Sequence, residues 1–498
     1  MSAPQPRHMT PDEFRRLGRQ AVDFIADYWE HVENMPVLCP MAPGAVAAGL
    51  PERPPEQGQS WEGVFQDLTQ IVLPGLTHWQ SPNFFAYFPA NGSFPAVIAD
   101  LISTGLGVQG MLWATSPACT EMETRMLDWL VEMLGLPAEF RSDQSGGGVI
   151  HSTASEAVLT ALVAARHRLR SREAGARGDA PRECVYASTQ AHSSVVKAAM
   201  IAGLADGPDD RSRIRLIPTD HRHAMRPDLL ERAMRADAAA GLAPLMVVAT
   251  IGTTGSTAID PVDRIASVCA PHGAWLHVDA AFAGSALLCP ENRWMARGVE
   301  AADSFCFNPH KWMLTSFDCS CFWVRDRGAL TSALSITPEY LRNAASQSGR
   351  VIDYRDWQIP LGRRFRALKL WMVIRHYGVD GLRAHIREHL RIAALFERLI
   401  LDDDRFEICA PRTVSLVCFR LHPRAGESPE QTDARNRRLM DAANASGDLY
   451  LTHTSLPTVH DDQTAGPPRL VLRMAIGATL TREEHVRAAF SRLSNLAE

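Results

Sequence analysis

No stretch of this chain approaches the ~20 consecutive apolar residues that a membrane-spanning helix needs. No block of lysine and arginine is long enough to hold a polyanion. The cluster Arg363-Arg364-Phe365-Arg366 is too short, and net charge is −5 with both signs spread along the 498 residues. Nucleic-acid binding is therefore not expected. There is no acidic tail, no internal repeat and no C-x-x-C pair; Cys319-Ser320-Cys321 is a C-x-C whose two side chains share one face of a strand. The ten cysteines are scattered, mostly inside apolar runs, and no secretory signal precedes them. Buried free thiols in a reducing, cytoplasmic compartment are the expectation.

Hydrophobic residues make up 46% and charged residues 21%, which suits a large core divided over two or three domains. Thr10-Pro11-Asp12-Glu13 reads as a capping box with proline at the first helical position. Phe14, Leu17, Val22, Ile25 and Trp29 follow at helical spacing, so an amphipathic helix needs a surface to cover. Prolines 36, 40, 43, 51, 54 and 55 break up the segment to about residue 92.

Between about residues 93 and 366 the pattern alternates. Short apolar runs such as Cys184-Val185-Tyr186 and Leu245 to Thr250 are separated by helical stretches, Ala157 to Arg168 and Pro227 to Ala240 among them. Near-continuous apolar strands between helices predict a mainly parallel sheet covered on both faces. Ligands then belong at the carboxyl ends of its strands. From 367 onward come helices, strands over Val414 to Leu421 and Leu470 to Met474, and a closing helix from Thr481, a small α+β domain. Exposed loops are expected over 173–181 and 460–468.

The most informative pair of segments is Trp275-Leu276-His277-Val278-Asp279-Ala280-Ala281 and Asn308-Pro309-His310-Lys311-Trp312. A lysine between His and Trp is placed to lose water, which disfavours the ammonium and frees the amine. An acid at the end of a buried strand needs a cation to meet it. Pyridoxal phosphate uses both, a lysine to bond its carbonyl carbon and a carboxylate to hold its ring nitrogen protonated. Ser152-Thr153-Ala154-Ser155-Glu156, after three glycines, opens a strong helix. Thr153 and Glu156 have capping-box spacing, and hydroxyls at a helix N-terminus form an anion site or simply cap the helix. His192, between a strand end and a helix start, either packs structurally or stacks on a ring. Thr250-Ile251-Gly252-Thr253-Thr254 is a hydroxyl-rich turn that would share the sheet edge with Asp279. Two histidine patterns compete for attention. His385-Ile386-Arg387-Glu388-His389 has zinc-ligand spacing, but cations crowd it and no third ligand is evident, so no metal is expected. His221-Arg222-His223 reads as a solvated turn.

With these residues named, the chain resembles the pyridoxal-phosphate-dependent group II amino-acid decarboxylases, most closely those acting on aromatic L-amino acids. The likeness spans nearly the whole chain. It is densest in His78-Trp79-Gln80-Ser81-Pro82, Ser116 to Glu121, His277 to Ala281, Asn308 to Trp312 and Ile359 to Arg366. The resemblance implies an α/β fold of the fold-type I class. That means a large domain (93–366) with a mainly parallel seven-stranded sheet flanked by helices, a helical N-terminal segment (1–92) packing on a partner subunit, and a small α+β C-terminal domain (367–498). It implies a homodimer with the active site at the subunit interface. Lys311 would bond the cofactor, Asp279 would pair with its ring nitrogen, and His192 would stack on the ring. Thr153, Ala154, Thr254, Ala281, Asn308, His310 and Gly362 would complete the cofactor site. Trp79, Tyr87, Phe88, Pro89, Gln109, Met111 and Phe317 would line the substrate pocket. Residues 329–352 match a mobile catalytic loop whose Tyr340 returns a proton to the substrate carbon. Tyrosine there favours plain decarboxylation over aldehyde synthesis, and Gly362 favours a large aromatic side chain. A transaminase or a non-catalytic relative are the rival readings.

Overall fold

The computed structural model describes residues 8–173, 182–336, 344–347, 350–459 and 465–497. The N-terminal helix runs Pro11–His31, with the expected box closed in both directions. Glu13 N–H donates to Thr10 Oγ1 at 3.2 Å, and Thr10 N–H donates to Glu13 Oε2 at 2.8 Å. Only Leu17 of its apolar stripe is buried, while Phe14 and Val22 are about half exposed at 57% and 50%. A second helix, Phe94–Leu106, likewise leaves Phe94, Ile98, Leu101 and Leu106 exposed.

The large sheet has seven strands: β1 (Gly147–His151), β2 (Arg182–Ser188), β3 (Ile214–Ile217), β4 (Leu242–Thr250), β5 (Trp275–Asp279), β6 (Ser304–Phe307) and β7 (Ser320–Val324). Their order is β1-β7-β6-β5-β4-β2-β3. β7 pairs antiparallel with β1 and β6, and the pairs β2–β3, β2–β4, β4–β5 and β5–β6 are parallel. Both faces are covered. Val149, Val185, Val248 and Phe322 pack with helix Ala154–Glu173, whose Ala157, Ala161, Ala164 and Ala165 allow close approach. Ile150, Tyr186, Val247 and Leu276 pack on the other side with helix Pro117–Leu134 and the start of helix Arg366–Leu401. This double burial explains why the strands read as unbroken apolar runs.

Helix Arg366–Leu401 breaks at Gly378, where φ is +65°. Its first half packs on the large sheet's helices. Its second half covers a smaller antiparallel sheet ordered β10-β11-β9-β8: β8 (Phe406–Ile408), β9 (Leu416–Leu421), β10 (Thr452–Val459) and β11 (Ala465–Ala475). Helices Pro429–Ala445 and Glu483–Leu496 complete this unit.

Three expectations change. The loop read over 460–468 is strand from Ala465 onward, with Pro468 opposite Pro457 in the ladder; residues 460–464, like 174–181, lie outside the described residues. His223 is not solvated. It is buried at positive φ, with its Nε2 3.3 Å from the Cys409 carbonyl, while His221 and Arg222 stay exposed. The start of the loop read over 329–352 is helix, since Arg327–Leu334 is capped by Asp326 and buries Leu330.

Candidate active site

β4, β5 and β6 end level with one another. Register pairs Thr250 with Asp279 and Asp279 with Cys306, which sets Asp279 at the carboxyl edge of the sheet's middle. Period-2 alternation explains the rest. Trp275, His277 and Asp279 share one face of β5. The chain then turns through Ala280 and Ala281, and Ala281 N–H donates to Asp279 Oδ1 at 2.9 Å. Lys311 follows β6 in the short helix Pro309–Trp312.

These segments enclose a cavity of about 230 Å³ lined by Phe88, Thr153, Ala154, Ser155, His192, Thr250, Gly252, Thr254, Asp279, Ala281, Phe282, Asn308, His310, Lys311 and Phe317. It opens into a larger pocket of about 760 Å³ walled by Trp79, Tyr87, Phe88, Pro89, Ala90 and Phe317, and by Thr452, His453, Thr454 and Arg473. Trp79 stacks on Phe84 at 4.4 Å and on Tyr87 at 5.6 Å, giving the outer wall a flat aromatic surface.

Electrostatics follow from burial. Loss of water holds the Lys311 ammonium below its ordinary range; Asp279 opposes that shift and Arg473 adds to it. His192 is lowered, first by burial and then by Lys311 and Lys197, against the pull of Asp279. Its Nδ1 accepts the Ser194 N–H at 3.1 Å, so the neutral ring carries its proton on Nε2. His310 is pushed down to about 3 by burial and by Lys311, and its Nδ1 accepts the Cys319 N–H at 2.9 Å. Asn308 is fixed by the Ser320 hydroxyl at 2.7 Å.

The residues fit pyridoxal phosphate. Asp279 receives Ala281 N–H and the Cys306 thiol on the same oxygen, Oδ1, which leaves Oδ2 for a protonated ring nitrogen. Thr250 lines the cavity, and its Oγ1 is buried without a partner among the described residues. Gly252 sits at φ +88° where a Cβ would come within 2.6 Å of Ala283 Cβ, so the turn beside the cavity admits no side chain. At the start of helix Ala154–Glu173 the expected Thr153–Glu156 capping box does not form. Glu156 Oε2 accepts from Ser152 N–H at 3.1 Å and Ser152 Oγ–H at 2.7 Å, rather than pairing with Thr153, and Thr153 is left to line the cavity.

Of the residues expected at the site, Lys311, His192, Asp279, Thr153, Ala154, Thr254, Ala281, Asn308 and His310 come together around the inner cavity. Trp79, Tyr87, Phe88, Pro89 and Phe317 meet at its mouth. Gln109, Met111 and Gly362 do not reach either cavity within this chain. They form a separate cluster in which Gln109 Oε1 accepts the Arg363 N–H at 2.5 Å and the Met111 carbonyl accepts the Arg355 N–H at 3.1 Å. Tyr340 lies outside the described residues. Of the histidines with zinc-ligand spacing, His389 is buried against Trp312, whose indole N–H donates to its Nδ1 at 2.8 Å, and His385 packs edge-on against His389 at 4.3 Å.

Sequence reasoning missed Arg473. It is buried on β11, donates to the Thr254 and Gly255 carbonyls at 2.8 and 3.2 Å and to Thr452 Oγ1 at 3.1 Å, and lies 5.2 Å above the Phe88 ring. The signal was an arginine inside the apolar run Leu470-Val471-Leu472-Arg473-Met474.

The sequence model of the pyridoxal-dependent decarboxylase conserved domain matches residues 43–422. A phenylacetaldehyde synthase of Arabidopsis thaliana is 46% identical over 97% of this chain and 95% of its own length. A tryptophan decarboxylase 2 of Oryza sativa subsp. japonica is 45% identical over 99% of this chain and 96% of its own. The crystal structure of an Oryza sativa TDC with PLP and tryptamine superposes with a TM-score of 0.93 at 45% identity, covering 99% of both chains. With a buried lysine facing a strand-end aspartate and these likenesses along nearly its full length, this chain belongs to the pyridoxal-dependent decarboxylase family.

Proposed function

We propose that this protein removes the α-carboxylate of aromatic L-amino acids (dopa, tryptophan, 5-hydroxytryptophan, phenylalanine or tyrosine), releasing the arylalkylamine and carbon dioxide. The observation that carries the reading is the joining of two surfaces in one cavity. Lys311, Asp279 and His192 lie inside, and the stacked Trp79 and Tyr87, with Phe317, stand at the mouth.

When bound, pyridoxal phosphate supplies the sink for the electron pair of the breaking Cα–carboxylate bond. Lys311 would hold the cofactor through its amine, and burial makes that amine easier to deprotonate than a free lysine. Asp279 keeps the ring nitrogen protonated. Asn308, Thr153 and Ala154 would hold its phosphate, and His192 would stack on its ring, with the Nε2–H left free to donate. The aromatic wall would take the substrate side chain and so orient the amino acid, selecting which Cα bond is presented for cleavage. Tyr340, or His192 through Nε2–H, returns a proton to Cα.

A second reading, decarboxylation with oxidative deamination to an aldehyde, is supported by the similarity to the Arabidopsis synthase. Tyr340 favours the amine. The exposed stripes of helices Pro11–His31 and Phe94–Leu106 support a homodimer, and Gln109, Met111 and Gly362 would then enter the site from the partner subunit. The cysteines are free, which suits a reducing compartment such as the cytoplasm.

The test is product analysis. Cofactor-loaded protein is given each aromatic amino acid, histidine and glutamate, and carbon dioxide, amine, aldehyde and peroxide are quantified. Amine matched by carbon dioxide from aromatics alone is expected. Aldehyde with peroxide would establish the second reading, and no carbon dioxide from any aromatic substrate would overturn both.

A further inference from the structure

Behind Asp279, on the side away from the cavity, lies a row of buried polar groups with no part in the chemistry above. Trp275 and His277 precede Asp279 on the same face of β5, and Ser304 and Cys306 stand opposite them on β6, where register pairs His277 with Ser304 and Asp279 with Cys306. All four are fully or almost fully buried. Trp275 Nε1 lies 2.7 Å from Ser304 Oγ, Ser304 Oγ lies 2.9 Å from His277 Nδ1, His277 Nε2 lies 3.7 Å from Cys306 Sγ, and Cys306 Sγ lies 3.8 Å from Asp279 Oδ1.

The proton count gives this row a direction. An indole N–H can only donate, so Ser304 Oγ is its acceptor. Among the described residues the acceptor within reach of its one hydrogen is His277 Nδ1, at 2.9 Å, and the relay takes that tautomer. A neutral imidazole that accepts at Nδ1 carries its proton on Nε2, so His277 donates to Cys306. Cys306 then donates its S–H to Asp279. Burial holds His277 down to about 4, which keeps it neutral at working pH, and holds the Cys306 thiol well above its ordinary range, which keeps its hydrogen in place. Helix Ala154–Glu173 closes the outer end, where the Arg168 guanidinium lies 4.4 Å above the Trp275 ring. Phe322 of β7 packs beside His277 at 6.0 Å.

We propose that Trp275, Ser304, His277 and Cys306 form a directed hydrogen-bond relay that ends on Asp279 and sets how strongly that carboxylate holds the cofactor's ring proton. The inference rests on the decarboxylase reading, and its residues are positioning residues that act through Asp279. A donor on a carboxylate stabilises its charged form, and donors in series polarise one another. Without the thiol, Asp279 takes more of the proton it shares with the ring nitrogen. With the cofactor bound, its ring would carry less positive charge, and its visible absorbance would titrate at higher pH. Lys311 and His192 act on the same carboxylate from the cavity side and are unchanged by the substitutions below.

The experiment compares cofactor-loaded wild type with Cys306→Ala, Cys306→Ser and Ser304→Ala. Three properties are read: the pH midpoint of the bound cofactor's visible absorbance, kcat and KM separately, and thermal melting. Cys306→Ala is expected to move the midpoint upward by about half a pH unit or more and to lower kcat ~3–10-fold with KM within about twofold, the effect of one hydrogen bond. Cys306→Ser, which restores a stronger donor, returns both toward wild type. Ser304→Ala gives a smaller shift in the same direction. A wild-type midpoint and kcat in Cys306→Ala overturn the relay. So does Cys306→Ser behaving like Cys306→Ala, since packing alone would then be at work. Wild type without carbon dioxide release would instead sink the functional reading, while the absorbance midpoint still decides the relay.

Discussion

The Lys311 Nζ stands 5.5 Å from the centroid of the Phe88 ring, and that ring lies flat on Phe282 at 3.9 Å. Phe282 in turn stacks on Trp312 at 4.9 Å, the residue after the lysine. A loop from the N-terminal segment is thus anchored under the reactive amine by three parallel rings. Replacing Phe88 by Ala breaks the stack and opens a cavity at its end, for an expected loss of ~3–5 kcal/mol, whereas Phe88→Leu should cost less than ~1.5 kcal/mol. Denaturant midpoints of the two variants check this. Equal stabilities would mean the stack is not a structural anchor.

Lys311→Ala should abolish turnover and leave the melting temperature of the cofactor-free protein within a few degrees of wild type. Among the described residues the Lys311 amine makes no hydrogen bond that holds the fold, and it faces a cavity. A large fall in melting temperature would assign Lys311 a structural role instead.

The sheet and its helices were legible because doubly covered parallel strands leave continuous apolar runs, and the strand-end acid and the lysine after Pro309-His310 lie within such runs. What the chain order hid is long-range. Nothing local links Arg473 to Thr254, 219 residues away, yet they share a hydrogen bond. That Glu156 turns to Ser152 and not to Thr153 is a matter of one residue of side-chain reach, below what spacing resolves. His223 looked solvated between charged neighbours and is buried because the chain turns back over it near Cys409.

Arg473 ties the small sheet to the cavity. Its removal leaves the Thr254 and Gly255 carbonyls without their donor and takes a cation from beside Lys311. Arg473→Met should lower kcat/KM by ~10-fold or more, in line with the loss of charge-assisted hydrogen bonds. It should also raise the pH at which apoprotein Lys311 loses its proton, since Arg473 depresses it. The rate of cofactor reconstitution against pH reads that change. An unaltered profile would show that Arg473 does not reach the lysine electrostatically.

Acid should unfold this protein early. His277 and His385 are held down to about 4 and His310 to about 3, all by burial. Their folded pKa values lie below the unfolded value near 6.5, so the unfolded state binds more protons between about pH 6.5 and 4. Stability therefore falls as pH drops through that window, by up to ~1.4 kcal/mol per pH unit for each such histidine. Asp260 works in the opposite sense. Burial raises it to about 7 from its ordinary value of 3.8, so its contribution is full below about pH 4 and is lost progressively as pH rises from there to 7. A stability optimum near pH 6.5–7 is expected from urea melts across pH 4–9, and a flat profile would contradict the burial of these groups in solution.

Tyr340→Phe separates the two catalytic readings. If the tyrosine hydroxyl delivers the proton to Cα, its loss leaves the carbanion-like carbon open to oxygen, and the product should shift from amine toward aldehyde with ammonia and peroxide. Amine alone, at reduced rate, would instead assign proton delivery to His192, whose Nε2 carries the hydrogen.

Subunit sharing can be tested by complementation. Gln109, Met111 and Gly362 lie apart from Lys311 within one chain, so a substrate pocket that includes them must draw them from a second copy. Met111→Arg and Lys311→Ala should each be inactive as homodimers. Unfolded together and refolded at equal amounts, they pair at random. Half of the dimers are then mixed, and each mixed dimer with its two-fold interface holds one site with both native residues. Activity of about a quarter of wild type is expected. No recovery, with a mixed dimer demonstrated by mass, would place Met111 outside the site and leave the pocket complete within a single chain.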